Sequence, residues 1–346
     1  MTGRRVFKRL LLLVSLLGVA WLVWQRDLVG YGWSQARGQL RVLGRVRPLA
    51  EVMADPSFPD SLKGKLQLIG EIRRYAVDSL GINDSKSYTT VYDQRGKPIL
   101  WVVTASEPYR LVAKEWKFPL LGKFSYKGFF DYDRCLEEEK ELKAQGYDTD
   151  INEVAAWSTL GWFRDPILSS MLYRSEGSLA SLIIHELTHS TLFVKDNLEY
   201  NENLADFVGD YGALRFLAHK YGTDSLPYRR YLDRKAYQDR YYRHVLRGAR
   251  KLDSLYATFR PGLARARKDR LKRALIREIS ETMDTLSGAG RKRTPVSDTL
   301  LPNNAFFVGY QTYRQRQNAF EREFKTRFGS DFPKYLAYLK KKYPSL

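Results

Sequence analysis

The chain has 346 residues, with 58 Lys and Arg against 39 Asp and Glu for a net charge of +19, and 44% of its residues are hydrophobic. A single cysteine, Cys135, excludes both an intramolecular disulfide framework and a cysteine-rich metal site. The apolar content excludes a disordered polyelectrolyte, and the length suits one large domain or two closely joined lobes.

In chain order, the first feature is the uncharged run Leu10 to Trp24, preceded by Arg4, Arg5, Lys8 and Arg9. It falls short of the ~20 residues of a spanning helix, but flanking Lys and Arg can snorkel. It lacks a small-x-small cleavage site, so residues 1–29 are read as an uncleaved single-pass anchor rather than a signal peptide, with the N-terminus cytoplasmic. Residues 35–80 read as helix broken at 55–60. Residues 87–92 and 99–104, joined by a turn at Asp93 to Gly96, read as a β-hairpin. A helix is expected over 131–145, with Cys135 packed in it, and a strand over 153–160.

His185-Glu186-Leu187-Thr188-His189 then holds two of the chain's four histidines. On a helix, read here over 178–194, the four-residue spacing puts both imidazoles on one face, where they can ligate one Zn2+ and leave Glu186 as general base. A second helix is expected from an N-cap at Asn201 to residue 218. On it Glu202 supplies a third ligand and Asp206, four residues on, supports a ligating histidine. Glu199 is the fallback ligand. Two histidines and a carboxylate with an open fourth position form a catalytic rather than a closed structural type of site. The oxyanion of such a reaction needs a donor besides the metal; Tyr313 is the first choice and Tyr310 the second, with packing as the competing role for both. Glu153, Glu176 and Asp165 are acids near the motif that could meet a substrate amine. His219 and His244 are not assigned to the metal.

Residues 220–293 carry 21 Lys and Arg against 8 Asp and Glu, in long helices with interleaved aromatic residues. Anionic lipid or a cell-envelope polymer is favoured over nucleic acid as their counter-ion, with a solvated face as the plainer reading.

The motif and its downstream Asn201-Glu202-Asn203-Leu204-Ala205-Asp206 resemble the gluzincin metallopeptidases, whose pattern is H-E-x-x-H followed by an E-x-x-A-D or E-x-x-x-D helix. The resemblance carries His185, His189 and Glu202 over as ligands, Glu186 as base and Asp206 as support. The twelve residues between His189 and Glu202 are fewer than in many gluzincins. From about Gly30 onward the chain is closer still to a family of predicted bacterial membrane-associated zinc aminopeptidases, in residues 125–131, 157–168, the zinc motif, and 301–305 with Tyr313 beyond. The order of the elements read above gives an α+β fold, with an α+β lobe (30–170) that holds a small β-sheet and a helical lobe (171–346) with the zinc site, and the resemblance implies that together they form a mainly helical, gluzincin-like metallopeptidase domain over 30–346. The resemblance also implies a peptide substrate aligned on residues 155–160 and aminopeptidase activity, while the anchor's orientation puts the catalytic domain in the periplasm of a bacterial inner membrane. An endopeptidase with the same chemistry is the alternative, and a non-catalytic membrane-tethered binding module the reading from another class.

Overall fold

The computed structural model describes residues 7–8, 10–13, 16, 25–118, 122–154, 164–195, 197–283, 286, 297, 300–314 and 317–343. It is mainly helical with three small sheets, an α+β arrangement. Helix α1 (Arg26–Leu43) leads through β1 (Arg47–Pro48) and α2 (Leu49–Ala54) to α3 (Asp60–Leu80). The last of these buries Leu66, Ile69, Ile72, Ala76 and Leu80 on one stripe and ends at Gly81 with φ +69°, a left-handed cap that a Cβ would strain.

The expected single-pass anchor over residues 1–29 is corrected, together with the orientation and periplasmic placement built on it. Among the described residues, no helix is long and apolar enough to cross a membrane. Most of the Leu10 to Trp24 run lies outside the described residues. Helix α1, which follows it, is amphipathic: Gly38 and Val42 are buried while Arg26, Asp27, Arg37 and Arg41 are exposed.

The expected hairpin is also corrected. Strand β2 (Thr90–Tyr92) pairs antiparallel with β1 and parallel with β8 (Ile167–Leu168). Strand β3 (Trp101–Ser106) is the centre of a different sheet, between β6 (Tyr126–Phe129) and β7 (Asp148–Glu153), antiparallel to both. The turn chemistry was legible, with Arg95 and Gly96 both at positive φ, but the apolar faces of the two strands are claimed by different partners. A third sheet joins β4 (Trp116–Phe118) to β5 (Gly122–Phe124). Helix α4 (Tyr132–Ala144), capped by the Asp131 carboxylate, covers β3 and β7 and buries Cys135. Of the strand expected over 153–160, residues 155–160 lie outside the described set.

From Glu176 onward the described elements are helices: α5 (Glu176–His189), α6 (Leu198–Tyr221), α7 (Leu226–Ala257), α8 (Arg265–Glu281), α9 (Asn304–Arg314), α10 (Gln317–Phe328) and α11 (Phe332–Lys342). The principal core runs from α3 across α5 and α6 to α10 and α11, so the earlier and later halves of the chain share one interior. There Phe207 and Tyr211 of α6 meet Phe324 of α10, and Tyr211 stacks on Phe332 of α11 at 4.8 Å. A satellite cluster of Val245, Leu252, Ile276, Ile279 and Phe307 joins α7, α8 and α9.

A polar hub ties that satellite to the sheet. Asp148 of β7 receives the buried ammonium of Lys272 and the backbone N–H of Asn304 at 2.9 Å. The Asn304 side chain in turn donates to the Glu107 carbonyl and accepts from the Tyr256 hydroxyl. Removing one partner strands a charge away from water, so Asp148→Ala is expected to cost about 3–5 kcal/mol, read as a lower urea midpoint at unchanged slope. An exposed control such as Arg270→Ala should leave the midpoint in place.

Candidate active site

Helix α5 is apolar on most of its surface. Leu179, Ala180, Ile183, Ile184 and Leu187 are buried in the principal core, which fixes the helix and turns the remaining stripe, residues 181, 185 and 189, toward α6. The two helices run antiparallel in a register with four-residue steps. His189 faces Glu202, His185 faces Asp206, and Ser181 faces Asp210. The return between them is closed by Asn201, whose side chain accepts from the Val194 N–H and donates to the Val194 carbonyl, both at 2.8 Å. Asn201 is therefore not the cap expected from the sequence. The helix opens four residues earlier than expected, and Asn197 takes that role by accepting from Tyr200 N–H.

The register brings His185, His189 and Glu202 into a group able to hold a metal ion, with one ligand atom from each and all three within 4.8 Å of one another. Two ligands bound tetrahedrally at ~2.0–2.1 Å stand about 3.3 Å apart. The two Nε2 atoms are 3.2 Å apart, Glu202 Oε2 is 3.5 Å from His185 Nε2, and Glu202 Oε1 is 3.7 Å from His189 Nε2. These separations and the N,N,O donor set fit zinc. Asp206 Oδ1 lies 3.0 Å from His185 Nδ1. In a neutral ring, donation from Nδ1 to Asp206 would leave the Nε2 lone pair facing His189 and Glu202.

The electrostatics follow from burying these groups together. Burial holds His189 down at about 4, so its ring is neutral at neutral pH. Burial also disfavours the charged form of His185, but the hydrogen bonds that its ring donates to Asp206 and Glu202 outweigh it and raise the ring well above its ordinary value. The Glu202 carboxyl, opposed by burial, is held below its ordinary value by the two histidines. Glu186 is pushed up to about 7, first by burial and then, against the pull of His185, by Glu202, Asp165 and Asp206. A carboxylate in that range can both take and return a proton near neutrality.

Two tyrosines that the sequence reading did not single out feel these charges. Burial raises the hydroxyl of Tyr126, on β6, and the Glu202 and Glu186 carboxylates raise it further. Burial likewise raises Tyr88, with Glu186 and Asp165 adding to it. Tyr88 is also held at φ +62° with its N–H on the Asp165 carbonyl. The only sequence signal for Tyr126 was its place in the 125–131 stretch.

The other sequence-derived residues separate cleanly. Glu199 is not in the metal-capable group. Tyr310 packs against the satellite cluster, its ring tilted against those of Phe306, Tyr241 and Tyr242. The side chain of Tyr313 lies outside the described residues. Glu176 is tied to Lys65 at 2.8 Å, Glu153 is exposed at the end of β7, and Asp165 alone of the three acids is buried and acts on Glu186. His219 lies against the Tyr75 ring and His244 bonds the Ile279 carbonyl, away from the metal-capable group.

Residues 30–343 match the family model described as "Putative aminopeptidase", and the chain belongs to that family. No curated protein and no solved structure matches the chain.

This geometry makes metal uptake depend on individual side chains. His189→Ala should abolish stoichiometric zinc in metal analysis of the purified protein. Asp206→Asn should keep the ligands but weaken zinc by about 10- to 100-fold in a chelator competition. Because a proton competes with the metal at His185, the affinity of the unaltered protein should fall as the pH is lowered.

Proposed function

We propose that this member of the aminopeptidase family is a zinc-dependent peptidase that removes residues from the free N-terminus of peptides. The observation that carries the reading is the convergence of His185, His189 and Glu202, with Glu186 on the same helix as the two histidines. The gluzincin-like order, with Glu202 and Asp206 following on the next helix, supports it. Intact Glu186 speaks against a purely binding or structural site, which has no use for a base beside its ligands.

Bound zinc would supply Lewis-acid polarisation of the scissile carbonyl and would acidify the attacking water. Glu186 takes the proton from that water and returns it to the departing amine, a double duty suited to a carboxyl raised by burial. Asp206 fixes the tautomer and orientation of His185. Tyr126, which burial and the Glu202 and Glu186 carboxylates keep protonated, is the hydroxyl we assign as donor to the developing oxyanion, the role the sequence reading gave to Tyr313. Of the three acids near the motif, Asp165 is the one whose charge acts on Glu186, which makes it the candidate to meet a substrate's ammonium group; aminopeptidase rather than endopeptidase activity rests on the family.

The test is mass-spectrometric cleavage of a mixed peptide library, half of it N-acetylated, with Glu186→Gln as the blank. Stepwise loss of N-terminal residues from unblocked peptides alone is expected. Internal cuts in both halves would make the protein an endopeptidase, and no difference from the blank would favour a non-catalytic binding role. Glu186→Gln should retain zinc while losing about 10²–10⁴ in rate. Since the base acts when ionised, kcat/KM should rise with pH to a plateau. Its acid limb should lie at or below about 7, because the metal's charge lowers the carboxyl further.

A further inference from the structure

We infer that Gly209 is a positioning residue of the metal centre, holding α6 close enough to α5 for Glu202 and Asp206 to reach the two histidines; the inference rests on the metal-site reading above. Glu202, Asp206 and Gly209 follow at i, i+4 and i+7, so they share the face of α6 turned toward α5. Gly209 sits between two rungs of the antiparallel register, the pair His185 with Asp206 and the pair Ser181 with Asp210. A Cβ placed on it would lie 2.7 Å from the Ser181 carbonyl oxygen, 3.2 Å from His185 Cβ and 3.4 Å from the His185 nitrogen. Its nearest neighbours are thus the backbone of the zinc helix and the root of a ligand, neither of which can swing aside as a side-chain tip can.

The contact is pinned from the adjacent position. Asp210 accepts from Ser181 of α5 at 3.4 Å, from the Tyr231 hydroxyl at 2.8 Å and from the Lys235 ammonium at 2.9 Å, both on α7. Two of the three metal-capable side chains come from α5 and the third from α6, so any added separation of the helices is transmitted to the His–Glu distances. By contrast, the nearest atoms to a Cβ on Gly212, one turn further on, would be side-chain methyls and not backbone: Ile184 Cδ1 and Leu80 Cδ1 at 2.8 Å and Ile184 Cγ2 at 3.0 Å. That glycine should matter to packing and not to the site.

The experiment compares Gly209→Ala with Gly212→Ala, reading zinc affinity by chelator competition and the visible absorption of the cobalt(II)-loaded protein. Circular dichroism and urea midpoints serve as measures of fold. Gly209→Ala is expected to weaken zinc by about tenfold or more and to shift the cobalt bands, while Gly212→Ala stays within about threefold with unshifted bands, whatever its cost in stability. Should Gly209→Ala fail to fold, Asp210→Asn carries the test, since it loosens the same contact without adding an atom. Shifted bands would then support the inference and unshifted bands would refute it. Unaltered affinity and spectrum in Gly209→Ala, or equal losses in both glycine variants, would overturn it. Glu202→Ala separates this outcome from failure of the underlying reading: if the unaltered protein takes up no metal, or takes it up independently of Glu202, the metal centre itself is wrong and the inference falls with it.

Discussion

The antiparallel contact of α5 with α6 is the constraint on which the rest depends. Three rungs at four-residue steps pair His189 with Glu202, His185 with Asp206 and Ser181 with Asp210. The first rung brings together two members of the metal-capable group, the second sets Asp206 on the third member, His185, and the third ties the helices to each other. Side chains at i and i+4 on facing helices meet in this way only if neither helix slides or rotates. The buried apolar face of α5, the aromatic packing of α6 on α10 and α11, and the Asn201 clamp on the return all restrict those movements.

The same contact concentrates charge where solvent is scarce. Four acidic groups, Glu186, Glu202, Asp206 and Asp165, act on one another around two histidines, an arrangement that is costly for an empty interior and natural around a divalent cation. At Glu186 the pull of His185 does not offset burial and the neighbouring carboxylates, so its carboxyl is raised to about 7, whereas Glu202 is held below its ordinary value by the two histidines. Away from the centre, part of the chain's basic excess is absorbed structurally. Lys235 pairs with Asp210, Lys272 with Asp148 and Lys251 with Glu278, so a fraction of the positive charge that looked like an interaction surface holds helices in place.

What the sequence revealed was what local spacing determines. The histidine pair, Glu202 and Asp206 could be read because i, i+4 periodicity and a scarce residue type carry the information, and the helical stripe of α3 could be read for the same reason. Asn201 was misassigned because a buried asparagine one helical turn from a loop looks like a cap until its partners at Val194 are known. The separation of β2 and β3 into different sheets, and the approach of Tyr126 and Tyr88 to the acids, depend on pairings far apart in the chain. No composition window contains those. The anchor reading went beyond a run that is short for a spanning helix, and Gly209 had no signal of its own until the neighbouring helix was in place.

The most direct test of a two-histidine, one-carboxylate zinc centre is X-ray absorption at the zinc edge of protein loaded with one equivalent of metal. The account predicts a first shell of nitrogen and oxygen at ~2.0–2.1 Å, with imidazole scattering that fits two rings and drops to one in His189→Ala. A shell containing sulfur at ~2.3 Å, or imidazole scattering unchanged by removal of His189, would contradict it.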